Sequence, residues 1–225
     1  MHVALVPAKP LLLAKTRLRS ALGDDDRVAV AHAMFGDVLD ALLGTASIDR
    51  VLVVTADPRL AAHARAVGAG VVDEGTPRGL NGAVALGTAL AGEQGAQAVV
   101  VVLSDVPLIG SADVAELLAR TPRPGIAVVP SKEGTGTNAI VHRPPGIVPP
   151  CFGGRSLERH ASTAERRHVA CTIWRNARIA FDIDEPADLT AFAATASATA
   201  TYREAVRLGF APRATSSAPS PGRSS

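Results

Sequence analysis

The chain has 225 residues, a net charge of +2, 47% hydrophobic and 20% charged residues. That length and balance describe one domain with a real core, and they exclude a disordered chain or a coiled coil. A near-neutral charge with only 3% aromatic residues excludes a basic, base-stacking nucleic-acid clamp. Two cysteines, Cys151 and Cys171, make neither a disulfide framework nor a zinc motif, and they fit a reduced cytoplasm.

No stretch approaches the roughly 18 apolar residues of a membrane span, so no membrane partner is expected. The opening MHVALVPAKPLLLAK is interrupted by Lys9 and two prolines and has no basic residues ahead of it, unlike a signal peptide. Strands are expected at His2–Val6, Val51–Val54, Val71–Val72, Ala98–Leu103, Ile126–Pro130, Asn138–His142 and Val169–Trp174. The AVVVVL run at 98–103 is apolar on both faces, as a central parallel strand covered on each side must be. Helices are expected between them. Over Asp26–Leu43, Ala31, Met34, Phe35, Val38, Leu39 and Leu42 repeat at helical spacing, behind N-capping Asp24, Asp25 and Asp26. Further helices follow at Arg59–Val67, ending at Gly68; at Gly82–Ala91; after a capping Ser111; at Leu157–Arg166; and at Ala187–Ala194, with Pro186 at its first position.

Alternating β and α units predict a three-layer α/β fold with a mostly parallel sheet in a single domain. The domain is expected over residues 1–196. Residues 197–225 are expected to add one helix (TYREAVRLGF) and a Pro/Ser-rich disordered tail (APRATSSAPSPGRSS).

Ligands of open α/β sheets sit beyond the carboxyl ends of the strands. Lys9, Lys15 and Arg17 follow the first strand and place three cations where a polyphosphate would need them. Only three of the 23 basic residues are lysine, and two of them are here; the third is Lys132. A Walker loop is absent. After the central strand, Asp105 precedes Val106-Pro107 and is a candidate Mg²⁺ ligand. Asp182 and Asp184 stand at i, i+2, so on extended chain both carboxylates point one way; Asp184 is equally a candidate helix cap.

Gly134-Thr135-Gly136-Thr137-Asn138 offers backbone N–H groups and hydroxyls to an anion. It matches GxGxxA through Ala139, but AIVH reads as a strand, whereas a dinucleotide fingerprint must open a helix. Phe152-Gly153-Gly154-Arg155-Ser156 leads into a helix, and Ser156 is its natural N-cap or an anion donor. Asn81 is placed to meet a base or ribose, or to cap its own helix. His160 and His168 are expected at the surface, and no GxSxG elbow occurs.

Taken in order, VPAK…AKTRL, GLNGAV, LSDVPL, GTGTNA, FGGRS..RH and DIDEPADL resemble the small guanylyltransferases of coenzyme F-420 biosynthesis, which act on 2-phospho-L-lactate or phosphoenolpyruvate. The likeness runs from Val3 to Phe192. It implies a nucleotide-diphospho-sugar transferase-like (Rossmann-like) fold and a guanylyltransferase domain over 1–196. It implies GTP, Mg²⁺ and a three-carbon phosphorylated acid, with a downstream lactyl-type transferase as partner. Thr137, Gly153 and Ser156 would then bind the acid. Asp105 with Asp182 or Asp184 would hold Mg²⁺; Lys9, Lys15 and Arg17 would face the GTP phosphates, and Asn81 the guanosine. Arg155 departs from the family pattern and adds a cation beside the acid.

Three other readings remain at this point. A nucleotidyltransferase for a molybdopterin or sugar phosphate would carry a Gly-rich, Arg-containing signature after the first strand. A glycosyltransferase would carry Asp-x-Asp where this chain has Asp105-Val106-Pro107. A non-catalytic module would bind GTP without releasing pyrophosphate.

Overall fold

The computed structural model describes residues 1–195 and 197–211. In chain order the strands are β1 (His2–Pro7), β2 (Arg50–Thr55), β3 (Gly70–Asp73), β4 (Ala98–Val102), β5 (Gly125–Pro130), β6 (Thr137–Arg143) and β7 (Cys171–Ile173). They form one seven-stranded sheet in the order β3-β2-β1-β4-β6-β5-β7. Every neighbour pair is parallel except those of β6, which runs antiparallel to both β4 and β5. The mostly parallel α/β expectation holds, with one reversed strand.

The helices are α1 (Asp24–Leu43), α2 (Pro58–Ala66), α3 (Gly79–Glu93), α4 (Ser111–Arg120), α5 (Ser156–Arg166), α6 (Ala177–Ala180), α7 (Pro186–Ala193) and α8 (Ala200–Arg207). Strand periodicity divides the core in two. Ala4, Val6, Val100 and Val102 face the layer of α1, α4, α7 and α8. Val3, Leu5, Val99 and Val101 face α3 and α5. On that second face α3 comes so close to β1 that a Cβ at Gly87 would lie 2.3 Å from a Leu5 methyl, so only glycine fits there.

Helix ends differ from expectation where backbone caps replace side-chain ones. Gly23, not an aspartate, caps α1; Asp24 opens the helix and pairs with Arg27 at 2.9 Å. Gly110 caps α4, and the Asp113 carboxylate accepts the Gly110 N–H at 2.8 Å, leaving Ser111 as the first helical residue. α3 begins three residues ahead of the expected start and takes Asn81 inside it. α8 belongs to the core: Ala205 is buried there, and the Asp37 carboxylate accepts the Ala200 and Thr201 N–H groups at 2.7 and 2.8 Å. The expected disordered tail lies, from Pro212 on, outside the described residues, as does Ala196 at the expected domain boundary. Among the described residues no helix is long and apolar enough to cross a membrane.

Candidate active site

The site is built at the carboxyl edge of the sheet, starting with the loop after β1. Two buried polar side chains shape that loop. Arg27 of α1, fully buried, donates to the carbonyls of Leu11 and Leu12 at 3.2 and 3.1 Å and to that of Ala14. Asp57 accepts the Leu11 N–H at 2.8 Å while capping α2 through Arg59 N–H at 2.8 Å. The folded loop carries Lys15 inward in a left-handed conformation (φ 50°). Its Nζ donates to Asp105 Oδ2 and to Asp184 Oδ1, both at 2.6 Å. Burial alone would weaken this ammonium, but the two carboxylates outweigh it and raise its pKa. Lys9 is exposed, and Arg17, also exposed, lies 3.7 Å from Glu185.

Asp105 follows β4, and its backbone carbonyl accepts the Ile183 N–H at 3.2 Å. That contact extends the 182–184 segment so that Ile183 enters the core while Asp182 and Asp184 turn back to the site. Asp182 Oδ1 accepts from Asn138 Nδ2 at 3.2 Å; burial, with the nearby Asp105 charge, raises its pKa. Asp184 is lowered despite its burial, because Lys15 sits against it. The helix behind them is capped by Glu185, and Asp188 accepts the Asp184 and Glu185 N–H groups, both at 2.9 Å. Lys132 closes this side, donating to Asp182 O at 2.9 Å and pairing with Asp188 at 2.6 Å.

These carboxylates suit a hard cation. Asp105 Oδ1 is buried without a hydrogen-bond partner, and oxygen ligands are what Mg²⁺ takes. Among the described residues no three His, Cys, Asp or Glu side chains converge as a metal cage. One or two carboxylates completed by substrate phosphate oxygens is the usual Mg²⁺ arrangement.

Two clefts open on these groups. One, about 360 Å³, is lined by Lys9, Glu74, Gly79, Leu80, Ser104 and Asp105. The other, about 210 Å³, is lined by Lys9, Lys15, Ser104, Asp105 and Asp184. A larger groove of about 660 Å³, between α1, Pro107–Gly110 and α8, lies away from the lysines. Asn81 lines none of these clefts. Its amide is taken up by Phe152, whose N–H it accepts at 2.7 Å and whose carbonyl it donates to at 3.1 Å. It is a latch between α3 and the turn before α5.

That turn and the start of β6 carry the remaining residues expected of the site. Gly153 has φ +109°, open to glycine alone without strain. Arg155 caps α5 with φ 54°, and its guanidinium pairs with Glu158 at 2.5 Å, so Ser156 is the first helical residue, not the N-cap. Ser156 and Thr137 are both buried, 2% and 3% exposed. Leu157 N–H donates to Thr135 O at 3.1 Å and brings the Gly134–Thr137 turn onto the α5 N-terminus. His160, expected at the surface, is fully buried beneath them, while His168 is exposed as expected. Thus the structure gathers Lys9, Lys15, Asp105, Asp182 and Asp184 by the end of β4 and groups Thr137, Gly153 and Ser156 where β6 begins beside α5; neither cleft above is lined by the second group. Arg27, Lys132 and His160 were not assigned to the site from the sequence, and Asn138 was singled out only as the last residue of the Gly134–Asn138 anion segment. Only the scarcity of lysine pointed at Lys132.

A profile of the family described as "Guanylyl transferase CofC like" matches residues 2–220. The phosphoenolpyruvate guanylyltransferase of Rubrobacter xylanophilus is 42% identical over 83% of this chain and 90% of its own. The 3-phospho-D-glycerate guanylyltransferase of Phenylobacterium zucineum is 37% identical over 84% of this chain and 88% of its own. In fold, the chain resembles a crystal structure from Desulfovibrio desulfuricans G20 described as a nucleotide-diphospho-sugar transferase. The TM-score is 0.76 at 18% identity, covering 92% of this chain and 94% of the other. With residues 2–220 matched and relatives this similar across most of their length, the chain belongs to the CofC-like guanylyl transferases, a family of nucleotidyltransferase enzymes.

Proposed function

We propose that the protein transfers the guanylyl group of GTP to phosphoenolpyruvate and releases pyrophosphate, as a cytoplasmic step of coenzyme F-420 biosynthesis. The observation that carries this reading is the Lys15 ammonium held 2.6 Å from both Asp105 and Asp184 at the mouth of a cleft shared with Lys9. Cations and carboxylates at one strand edge are what joining two polyanions requires.

A phosphate oxygen of the acid attacks the α-phosphorus of GTP in line. The new bond is phosphate oxygen to α-phosphorus, and the bond that breaks is α-phosphorus to the bridging oxygen of pyrophosphate. The nucleophile is already an anion, so no general base is assigned. Lys9, Lys15 and Arg17 offset the charge of the triphosphate and of the departing pyrophosphate. Asp105 with Asp182 or Asp184 would hold Mg²⁺, which screens phosphate charge and polarises the attacked phosphoryl group. Thr137, Gly153 and Ser156 hold the acid. Asn81 serves the acid end through the turn it latches, and no contact with the guanosine is assigned to it.

Phosphoenolpyruvate is favoured because its guanylyltransferase relative is 42% identical, against 37% for the 3-phospho-D-glycerate guanylyltransferase and 32% for the 2-phospho-L-lactate guanylyltransferase of Methanothermobacter thermautotrophicus. The test is pyrophosphate release with Mg²⁺, crossing GTP, ATP and CTP with the three acids, and with a downstream lactyl-type transferase present to consume the product. Release with GTP and phosphoenolpyruvate is expected. Release with GTP and another acid would reassign the acceptor; GTP binding without release from any acid would overturn the proposal.

A further inference from the structure

His160 lies on α5, one turn beyond Ser156, and touches both segments of the acid end. The Cys151 backbone N–H donates to its Nε2 at 2.9 Å. The Phe152 ring packs edge-on against it, centroids 5.1 Å apart. Its Nδ1 lies 3.3 Å from Thr137 Oγ1.

These contacts settle which nitrogen carries the hydrogen. A backbone amide only donates, so Nε2 must present its lone pair. Burial disfavours the imidazolium and pushes the pKa down to about 4, against the opposing pull of the Ser156 carbonyl and with a smaller push from Arg159. The ring is therefore neutral near pH 7, and its one hydrogen sits on Nδ1. Nδ1–H has no lone pair to offer, so Thr137 Oγ1 accepts there. The hydroxyl's own hydrogen is left free for another partner.

We infer that His160 is a positioning residue that fixes the Thr137 hydroxyl as a hydrogen-bond donor to an anionic oxygen of the acceptor acid. With the other tautomer, Thr137 would give its hydrogen to the imidazole and turn lone pairs toward the anion. The inference rests on the reading of Thr137 as an acid contact, and the two are separable.

The first test uses the intact protein. Ring ¹⁵N shifts of His160 between pH 6 and 8 should show a bare Nε2 and a protonated Nδ1. The opposite pattern, or rapid exchange between the two, overturns the inference. The second test is kinetic, with thermal melting to confirm folding. Thr137→Val should raise the acceptor KM about tenfold, the worth of one lost hydrogen bond to a charged group, and leave the GTP KM unchanged. His160→Gln keeps an acceptor for Cys151 but no donor for Thr137, and should reproduce that split. His160→Asn keeps a donor near Nδ1 and should recover most of the loss. An acceptor KM unmoved by Thr137→Val would remove Thr137 from the acid site. A raised KM there with wild-type behaviour in His160→Gln would leave the acid site standing and refute the role of His160. Should the His160 variants not fold, the ring shifts decide.

Discussion

At the β1–β4 end of the carboxyl edge every bond that fixes Lys15 joins opposite charges. At the β6–α5 end His160, Thr137 and Asn81 are fixed by neutral hydrogen bonds. Exposure differs in the same direction: the Asp105 and Asp184 side chains are 22% and 43% exposed, whereas His160 is wholly buried. The two carboxylates, though not the 8%-exposed Lys15 side chain, are near enough to water to change partners at modest cost when a triphosphate arrives. Buried neutral groups cannot be left unpaired so cheaply, so they hold one arrangement. One end is built to exchange contacts and the other to keep them.

Three perturbations break or sharpen this contrast. The largest is Asp105→Asn, which removes a charge from Lys15 and from the candidate cation. We expect kcat to fall on the order of 10³-fold, with a smaller drop in melting, because the buried Lys15 ammonium keeps Asp184 as its remaining partner. Full activity in this variant would remove Asp105 from the chemistry.

Acidification comes next; it acts on His160 of the neutral end and on His142, buried near the far end of β6 opposite Val99. Burial pushes the pKa of both His160 and His142 down to about 4, and His160 also disfavours charge on His142. Both rings are depressed below their ordinary 6.5, so the unfolded chain binds protons first. Stability is whole above pH 6.5, declines as pH falls, and has lost the full contribution below about 4. Each ring accounts for roughly 3 kcal/mol at most. Lys15 is raised and Asp184 lowered, so neither titrates in that window. Urea midpoints at pH 7.5, 5.5 and 4.5 measure the loss, and His142→Phe should flatten part of it. Equal midpoints throughout would mean the rings are not buried neutral.

The smallest effect is at Arg155, the added cation of the acid end. Its guanidinium is 77% exposed and already paired with Glu158. Arg155→Gly should leave the acceptor KM within about twofold, since exposed pairs contribute little. Melting should rise slightly, because φ 54° is a conformation glycine adopts freely. A tenfold rise in KM would make Arg155 an acid ligand.

The fold was legible because β-branched runs and helical spacing repeat without ambiguity. The AVVVVL run announced a strand covered on both faces, and it is the centre of the sheet. The reversal of β6 was not legible: an apolar run has no direction, and only pairing sets it. In the site, residues next to strand ends were found because sequence neighbours carry them. Arg27, in the first turn of α1, carries no signal in the sequence of its own, yet it donates to three carbonyls in a loop 13 to 16 residues away. His160 was misplaced because helical periodicity alone does not say that a polar residue faces a buried turn. Asn81 was read for what it could offer a ligand, while its partner is the backbone 71 residues on.

The reversal of β6 also shapes how the enzyme can diverge. Thr137 stands at the start of its strand, yet beside Pro130 at the end of the neighbouring one, so a hairpin turn between them delivers the acid end to the same edge as Asp105. A crossover helix there would have tied that end to the packing of a whole layer. A turn can instead lengthen, shorten or change composition while β4, Lys15 and Asp105 stay in place. On the proposed roles, donor chemistry and acceptor choice thereby sit on separately editable pieces of chain, and lineages can drift to a new acid without rebuilding the machinery assigned to the nucleotide.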